Sequence, residues 1–132
     1  MNKHQKRIAK SIKKSPIDCL VVGDGFDHLD DLLGMFNTVF LLDSTVVKKA
    51  KNLITRADAK AVFELRDIGG VFIDLDKVEY IESLSPLLSK VWPDVFVEGN
   101  DVLERQYTKT LYQLGYRAIA QLDFCHQWSK VV

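Results

Sequence analysis

The residues able to do chemistry in this chain gather where apolar runs end. Gly23-Asp24-Gly25-Phe26-Asp27 follows a first run, and Asp43-Ser44 follows a second, about twenty residues on. Asp74 to Asp76 and Glu98-Gly99-Asn100-Asp101 close two later runs. Glycine lets backbone approach a ligand closely and accepts the positive φ of tight turns. A carboxylate at the spacing of Asp43 is placed to accept hydrogen bonds from ribose hydroxyls. Together these features suggest an adenosine-type ligand. The same residues also read as a tight turn and a helix-capping Asp, and at this point the two readings stand level.

The elements that must position these residues can be read in order. Residues 2–14 can form a basic helix with Ile8, Ala9 and Ile12 on one side, ended by Pro16. Ile17 to Val22 reads as a strand buried on both faces. A helix with Phe26, Leu29, Leu32 and Leu33 follows, with Gly34 as its C-cap. Val39 to Leu42 is the second strand; Ser44 or Thr45 caps a helix through Val46, Val47 and Ala50. Leu53-Ile54-Thr55 is a short third strand.

Ala61 to Leu65 suits a strand or a helix. A helix is favoured because Asp67 to Gly70 is too short for a parallel crossover into the strand at Val71 to Leu75; the rival is an antiparallel hairpin. Val78 to Val91 then predicts one long amphipathic helix, stopped by Pro93. Val95-Phe96-Val97 is a fifth strand, and Val102 to Leu114 a helix closed by Gly115. The tail reads as two strands, Tyr116 to Leu122 and Trp128 to Val132, joined around Asp123 to His126.

Expected strand positions are 17–22, 38–42, 52–55, 71–75 and 94–97, all parallel, with an antiparallel closing strand. This alternation predicts an α/β, Rossmann-like three-layer sandwich, with 1–132 as a single domain. In such sheets ligands bind beyond the carboxyl ends of the strands.

Composition narrows the partners. Apolar residues make up 47% and charged residues 27% of 132 residues, the balance of a soluble globular domain. No apolar run approaches the twenty or so residues of a membrane span, and no apolar leader segment opens the chain. Two cysteines, Cys19 and Cys125, predict no disulfide framework, and a cytoplasmic setting is expected. Six basic residues precede Asp18, leaving 12 basic against 18 acidic in the rest. The basic helix is expected to pack on its own acidic domain, and nucleic acid is not expected as a partner. His4, His28 and His126 lack metal-ligand spacing, and no metal is expected.

Val22-Gly23-Asp24-Gly25 with Leu42-Asp43 resembles the cofactor half of class I S-adenosylmethionine-dependent methyltransferases. The later chain is similar to the FkbM-type family. That family has a strand ending in Ile-Asp-Val-Glu-Gly-x-Glu, an apolar strand ending in Glu, and Gly-Tyr opening the last strands. Here stand Ile73-Asp74-Leu75-Asp76-Lys77-Val78-Glu79, Val97-Glu98 and Gly115-Tyr116. The resemblance implies S-adenosylmethionine as cofactor, held by Gly23, Asp24, Gly25, Phe26 and Asp43 at the carboxyl edge of the sheet. It implies methyl transfer, with a hydroxyl acceptor deprotonated by Asp74, Asp76 or Glu79.

Three positions depart from the pattern: Val21 replaces an acid, Asp27 a glycine, and Lys77 the glycine of the strand-four motif. They, and the short chain, suit an alternative: a non-catalytic Rossmann-like module that binds a nucleotide or a partner. Asp74-Leu75-Asp76 also resembles the nucleophile loop of haloacid-dehalogenase-type phosphatases, but too little chain follows for the further motifs.

Overall fold

The computed structural model describes residues 18–25, 28–47, 49–56, 67–99, 105–121 and 125–131. Seven strands make one sheet: β1 (Asp18–Val22), β2 (Thr38–Leu42), β3 (Leu53–Arg56), β4 (Ile68–Ile73), β5 (Asp94–Glu98), β6 (Tyr116–Gln121) and β7 (Cys125–Lys130). Their order is β3-β2-β1-β4-β5-β7-β6. β1 to β5 run parallel, and β7 is antiparallel to both β5 and β6.

Among the described residues the helices are α1 (Leu29–Met35), α2 (Tyr80–Ser83), α3 (Ser85–Val91) and α4 (Arg105–Gln113), with a 3-10 turn at Leu75–Lys77. The chain runs outward from β1 through β2 to β3, then resumes on the other side of β1 with β4. The loops after β1 and β4 therefore diverge, and a crevice is expected at that switch point.

Continuous apolar strands are what a sheet covered on both faces requires. Every residue of β4 is buried. Alternate residues supply two cores. Leu20, Val22, Val71, Ile73, Val95 and Val97 face Ile81, Leu84, Leu87, Leu88 and Leu111. Cys19, Val21, Val39, Leu41, Phe72 and Phe96 face Leu29, Leu32 and Phe36. Phe72 stacks on Phe96, with centroids 4.6 Å apart and planes at 6°. The result is the three-layer α/β architecture that the alternation predicts.

Several boundaries differ from expectation. β4 begins at Ile68 and ends at Ile73, so Ile68, Gly69 and Gly70 are strand and not connection, and Asp74 and Leu75 lie beyond it. Gly70 is useful there, because a Cβ on it would stand 3.1 Å from the Phe72 ring. Ser44 and Thr45 cap no helix; 44–47 is irregular because both hydroxyls turn to Asp24. Gly34 lies inside α1, which ends at Phe36 in an extended conformation.

The long helix is broken into the 3-10 turn, α2 and α3, with Pro86 in the first turn of α3, where its missing N–H costs nothing. Its apolar spacing survives the break: Val78, Ile81, Leu84, Leu87 and Leu88 are all buried. β7 starts three residues early because Cys125 pairs with Glu98 of β5. Cys125 therefore sits in the sheet and not in a loop. Both cysteines are buried thiols outside any disulfide, and burial pushes the Cys19 thiol well up, away from nucleophilic use. The 2–14 helix and the Ala61–Leu65 helix lie outside the described residues. Among the described residues no helix is long and apolar enough to cross a membrane.

Tyr116 locks the start of β6 to the end of α3. Its ring is fully buried, and its hydroxyl lies 2.7 Å from the Pro93 carbonyl and 3.4 Å from that of Leu88. Burial, with Asp94 nearby, pushes the phenol far above its ordinary range. A raised pKa stabilises the fold below the unfolded value of about 10, and that contribution fades as pH rises beyond it. Tyr116→Phe is expected to cost about 1–3 kcal/mol at pH 8, chiefly by leaving Pro93 O without its donor. The gap to wild type should narrow at pH 10.5. Urea unfolding at both pH values measures this; a constant gap would contradict it.

Candidate functional site

The first turn is built on two glycines. Gly23 has φ 105° and Gly25 φ 76°, conformations that side chains disfavour. Gly23 also has no room: a Cβ there would meet Asp74 Oδ2 at 2.5 Å. The turn is tied to both neighbouring strand ends. Gly23 N–H donates to Leu42 O at 2.9 Å, and Asp74 N–H donates to Val22 O at 3.0 Å. The Asp74 carboxylate accepts from Asp24 N–H at 2.7 Å and from Gly25 N–H at 3.1 Å. Thus the two amides that a glycine loop could offer to a ligand point at a carboxylate of the chain itself.

Asp24 reaches the other way. Its carboxylate accepts from Ser44 Oγ at 3.0 Å, Thr45 N–H at 2.9 Å and Thr45 Oγ1 at 2.7 Å. The Thr45 hydroxyl, followed by its amide, Ser44 and the charge of Lys77, holds the Asp24 carboxyl below its ordinary range. Asp24 is therefore the anchor of the loop after β2, and Ser44 and Thr45 are its partners.

Asp43 follows β2 directly, in the left-handed region at φ 51°, which Asp tolerates better than most residues. Its Oδ2 accepts from Tyr80 Oη at 2.8 Å and from Lys77 Nζ at 3.1 Å. These two contacts, the tyrosine's first, lower the Asp43 pKa, and Asp43 in turn raises that of Lys77. Half of the Asp43 side chain remains exposed. Leu75 N–H donates to Glu98 Oε1 at 2.9 Å, which fixes the start of the 3-10 turn. Asp76 and Glu79 are exposed around that turn.

Gly23, Asp24, Gly25, Asp43 and Asp74 are thus brought together over the end of β1. Asp76 and Glu79 stand beside them in the surface turn, and Phe26 lies outside the described residues. Sequence reasoning placed Ser44 at the sheet edge without its partner, took Thr45 only as a helix cap, gave Lys77 no role and missed Tyr80. Lys77 was visible only as a residue in a glycine's place. Tyr80 left no signal, because its reach to Asp43 exists only once β4 lies beside β1. Among the described residues no cluster of His, Cys, Asp and Glu could hold a metal ion.

Neither a protein-family profile nor a curated protein matches this sequence. Solved structures do match. A Sulfolobus solfataricus protein assigned to the type 11 methyltransferases gives a TM-score of 0.64 at 12% identity, covering 97% of this chain and 92% of that one. Precorrin-6y C5,15-methyltransferase of Geobacter metallireducens gives 0.61 at 14% identity, over 96% and 88%. A Streptococcus thermophilus rRNA methylase gives 0.57 at 13% identity, over 97% and 94%.

The chain has the class I methyltransferase fold. At 12–14% identity the likeness concerns architecture: the open, mostly parallel sheet with its antiparallel C-terminal strands. Function is carried by sites placed on a fold and has to be argued from them.

Proposed function

We propose that this chain binds S-adenosylmethionine and S-adenosylhomocysteine over Gly23 to Phe26, with the ribose hydroxyls on Asp43, as a methyltransferase-like protein related to the FkbM type. The observation that carries the reading is the pairing of two positive-φ glycines with a half-exposed carboxylate at the end of the adjacent strand. The glycines clear space above the sheet edge, and the carboxylate offers acceptors for vicinal hydroxyls. The fit is to the nucleoside; the loop amides of Asp24 and Gly25 are already committed to Asp74.

Bound S-adenosylmethionine supplies an electrophilic methyl group. The protein's part is to hold an acceptor in line with it and, for a hydroxyl acceptor, to remove the proton. Asp74 is a positioning residue in this reading, since both its oxygens hold the loop. Asp76 and Glu79 remain as bases, exposed and near the turn. That same commitment of Asp74 favours a second reading, a module that binds the nucleoside without turnover.

Isothermal calorimetry with S-adenosylhomocysteine tests the binding claim. Asp43→Asn keeps a side chain that accepts the left-handed backbone and removes the charge. It is expected to weaken binding by at least about tenfold, because charge-assisted hydrogen bonds become neutral ones. Equal affinity in wild type and Asp43→Asn would remove Asp43 from the site. No heat at millimolar ligand with folded wild type would remove the ligand altogether.

A further inference from the structure

Lys77 stands two residues beyond the Asp74–Leu75 step that leaves β4, yet its ammonium lies on the carboxylate that follows β2. β1 lies between those two strands. The side chain therefore spans the end of β1, where the glycine turn sits. Tyr80, from the first position of α2, reaches the same Oδ2 atom. The charge of Lys77 is also felt at Asp24, which places the ammonium close to the turn itself.

We infer that Lys77 and Tyr80 form a strap across the glycine turn that competes with the ligand for Asp43, so that binding of a nucleoside is an exchange of partners on that carboxylate. This inference rests on the reading that Asp43 receives the ribose. Both contacts fall on Oδ2, which holds the phenol at 2.8 Å and the ammonium at 3.1 Å; a bidentate diol puts one hydroxyl on each carboxylate oxygen, so its second hydroxyl has to displace a strap contact from Oδ2. The strap is an exposed ion pair, and such pairs are weak and screened by salt. It can thus yield to a ligand, but it subtracts its own strength from the observed affinity. Lys77 also occupies a glycine's place in the motif that this stretch resembles, and a glycine there could form no strap.

Three consequences follow from the exchange. Lys77→Met removes the competitor and is expected to bind S-adenosylhomocysteine about two- to fivefold more tightly, the range such pairs are worth. Tyr80→Phe removes one of the two contacts and should give a smaller gain, although it changes no charge. Lys77→Arg keeps the pair and should stay near wild type.

Salt supplies an independent readout. S-adenosylhomocysteine carries no net charge near pH 7, so its own encounter with the site is little affected by ionic strength. Affinity of wild type should rise between about 20 mM and 500 mM salt as the strap is screened, while that of Lys77→Met stays flat. Calorimetry on the four proteins at both salt concentrations makes the test. Heat with Lys77→Met but none with wild type supports the strap in its strongest form. Binding by all four with equal or weaker affinity in Lys77→Met overturns the strap and leaves the ligand reading standing. No heat from any of them, with all folded by circular dichroism, overturns both.

Discussion

Asp74→Ala should lower the thermal midpoint by on the order of 10 °C. The carboxylate accepts two backbone N–H groups, from Asp24 at 2.7 Å and Gly25 at 3.1 Å, across 50 and 49 residues of sequence. Hydrogen bonds to a charged acceptor contribute roughly 1.5–3 kcal/mol each. The site is only partly buried, so water can replace part of this, and about 3 kcal/mol is the expected net loss. For a domain of this size that corresponds to the midpoint shift given above. Asp74→Asn retains one acceptor oxygen and should lose about half as much. A purely catalytic Asp74 would behave in the opposite way, with turnover abolished and the melting curve unmoved. Circular dichroism melts of the three proteins decide it: a midpoint for Asp74→Ala within about 2 °C of wild type would mean that the carboxylate does not hold the loop.

Gly23→Ala is the second large effect, expected to cost on the order of 3–5 kcal/mol. Two penalties combine. A φ of 105° is strained for any side chain, at roughly 1–3 kcal/mol. The added methyl would also stand 2.5 Å from Asp74 Oδ2, 2.6 Å from its Cγ and 2.8 Å from its Cβ, an overpacking that costs about 1–3 kcal/mol more. Relief requires either a flipped backbone, which breaks the Gly23 N–H bond to Leu42, or an expelled Asp74, which frees both loop amides. Gly25→Ala is the comparison. Its φ is 76°, but its nearest atoms stand 3.6 Å away, so only the backbone strain of about 1–2 kcal/mol applies. Urea unfolding should rank wild type above Gly25→Ala and Gly25→Ala above Gly23→Ala. Equal costs for the two alanines would mean that Asp74 does not crowd Gly23.

Both effects concern one loop, and its chemistry divides into what was legible in the chain and what was not. The apolar runs at Cys19–Val22, Val39–Leu42, Val71–Ile73 and Val95–Val97 determined the buried parallel strands. A strand covered on both faces must be apolar throughout, and that is a local property. The glycines at 23 and 25 and the acids at 24, 43 and 74 were likewise legible as residues at strand ends. The broken helix at 78–91 shows the limit of such reading. Its apolar spacing was correct for burial, but the reading passed over Pro86, which stands in the first turn of α3 and marks a fresh helix start.

Only the tertiary structure decided what each site residue does. The sequence reads Asp74 as a candidate base, and Asp24 as one of the residues that hold the cofactor. Their partners lie 50 and 21 positions away, and no spacing rule joins them. Once the switch in strand order sets β2 and β4 on either side of β1, three loops meet above its end. Their short polar side chains then satisfy one another's backbone groups before any ligand arrives, because a partly buried amide or carboxylate left unpaired is costly. The sequence by itself determined which residues stand at the sheet edge. The folded arrangement decided that Asp74 faces the glycine loop, that Asp24 faces Thr45, and that Asp43 is shared by Lys77 and Tyr80, since those pairings are set by strand order and loop direction.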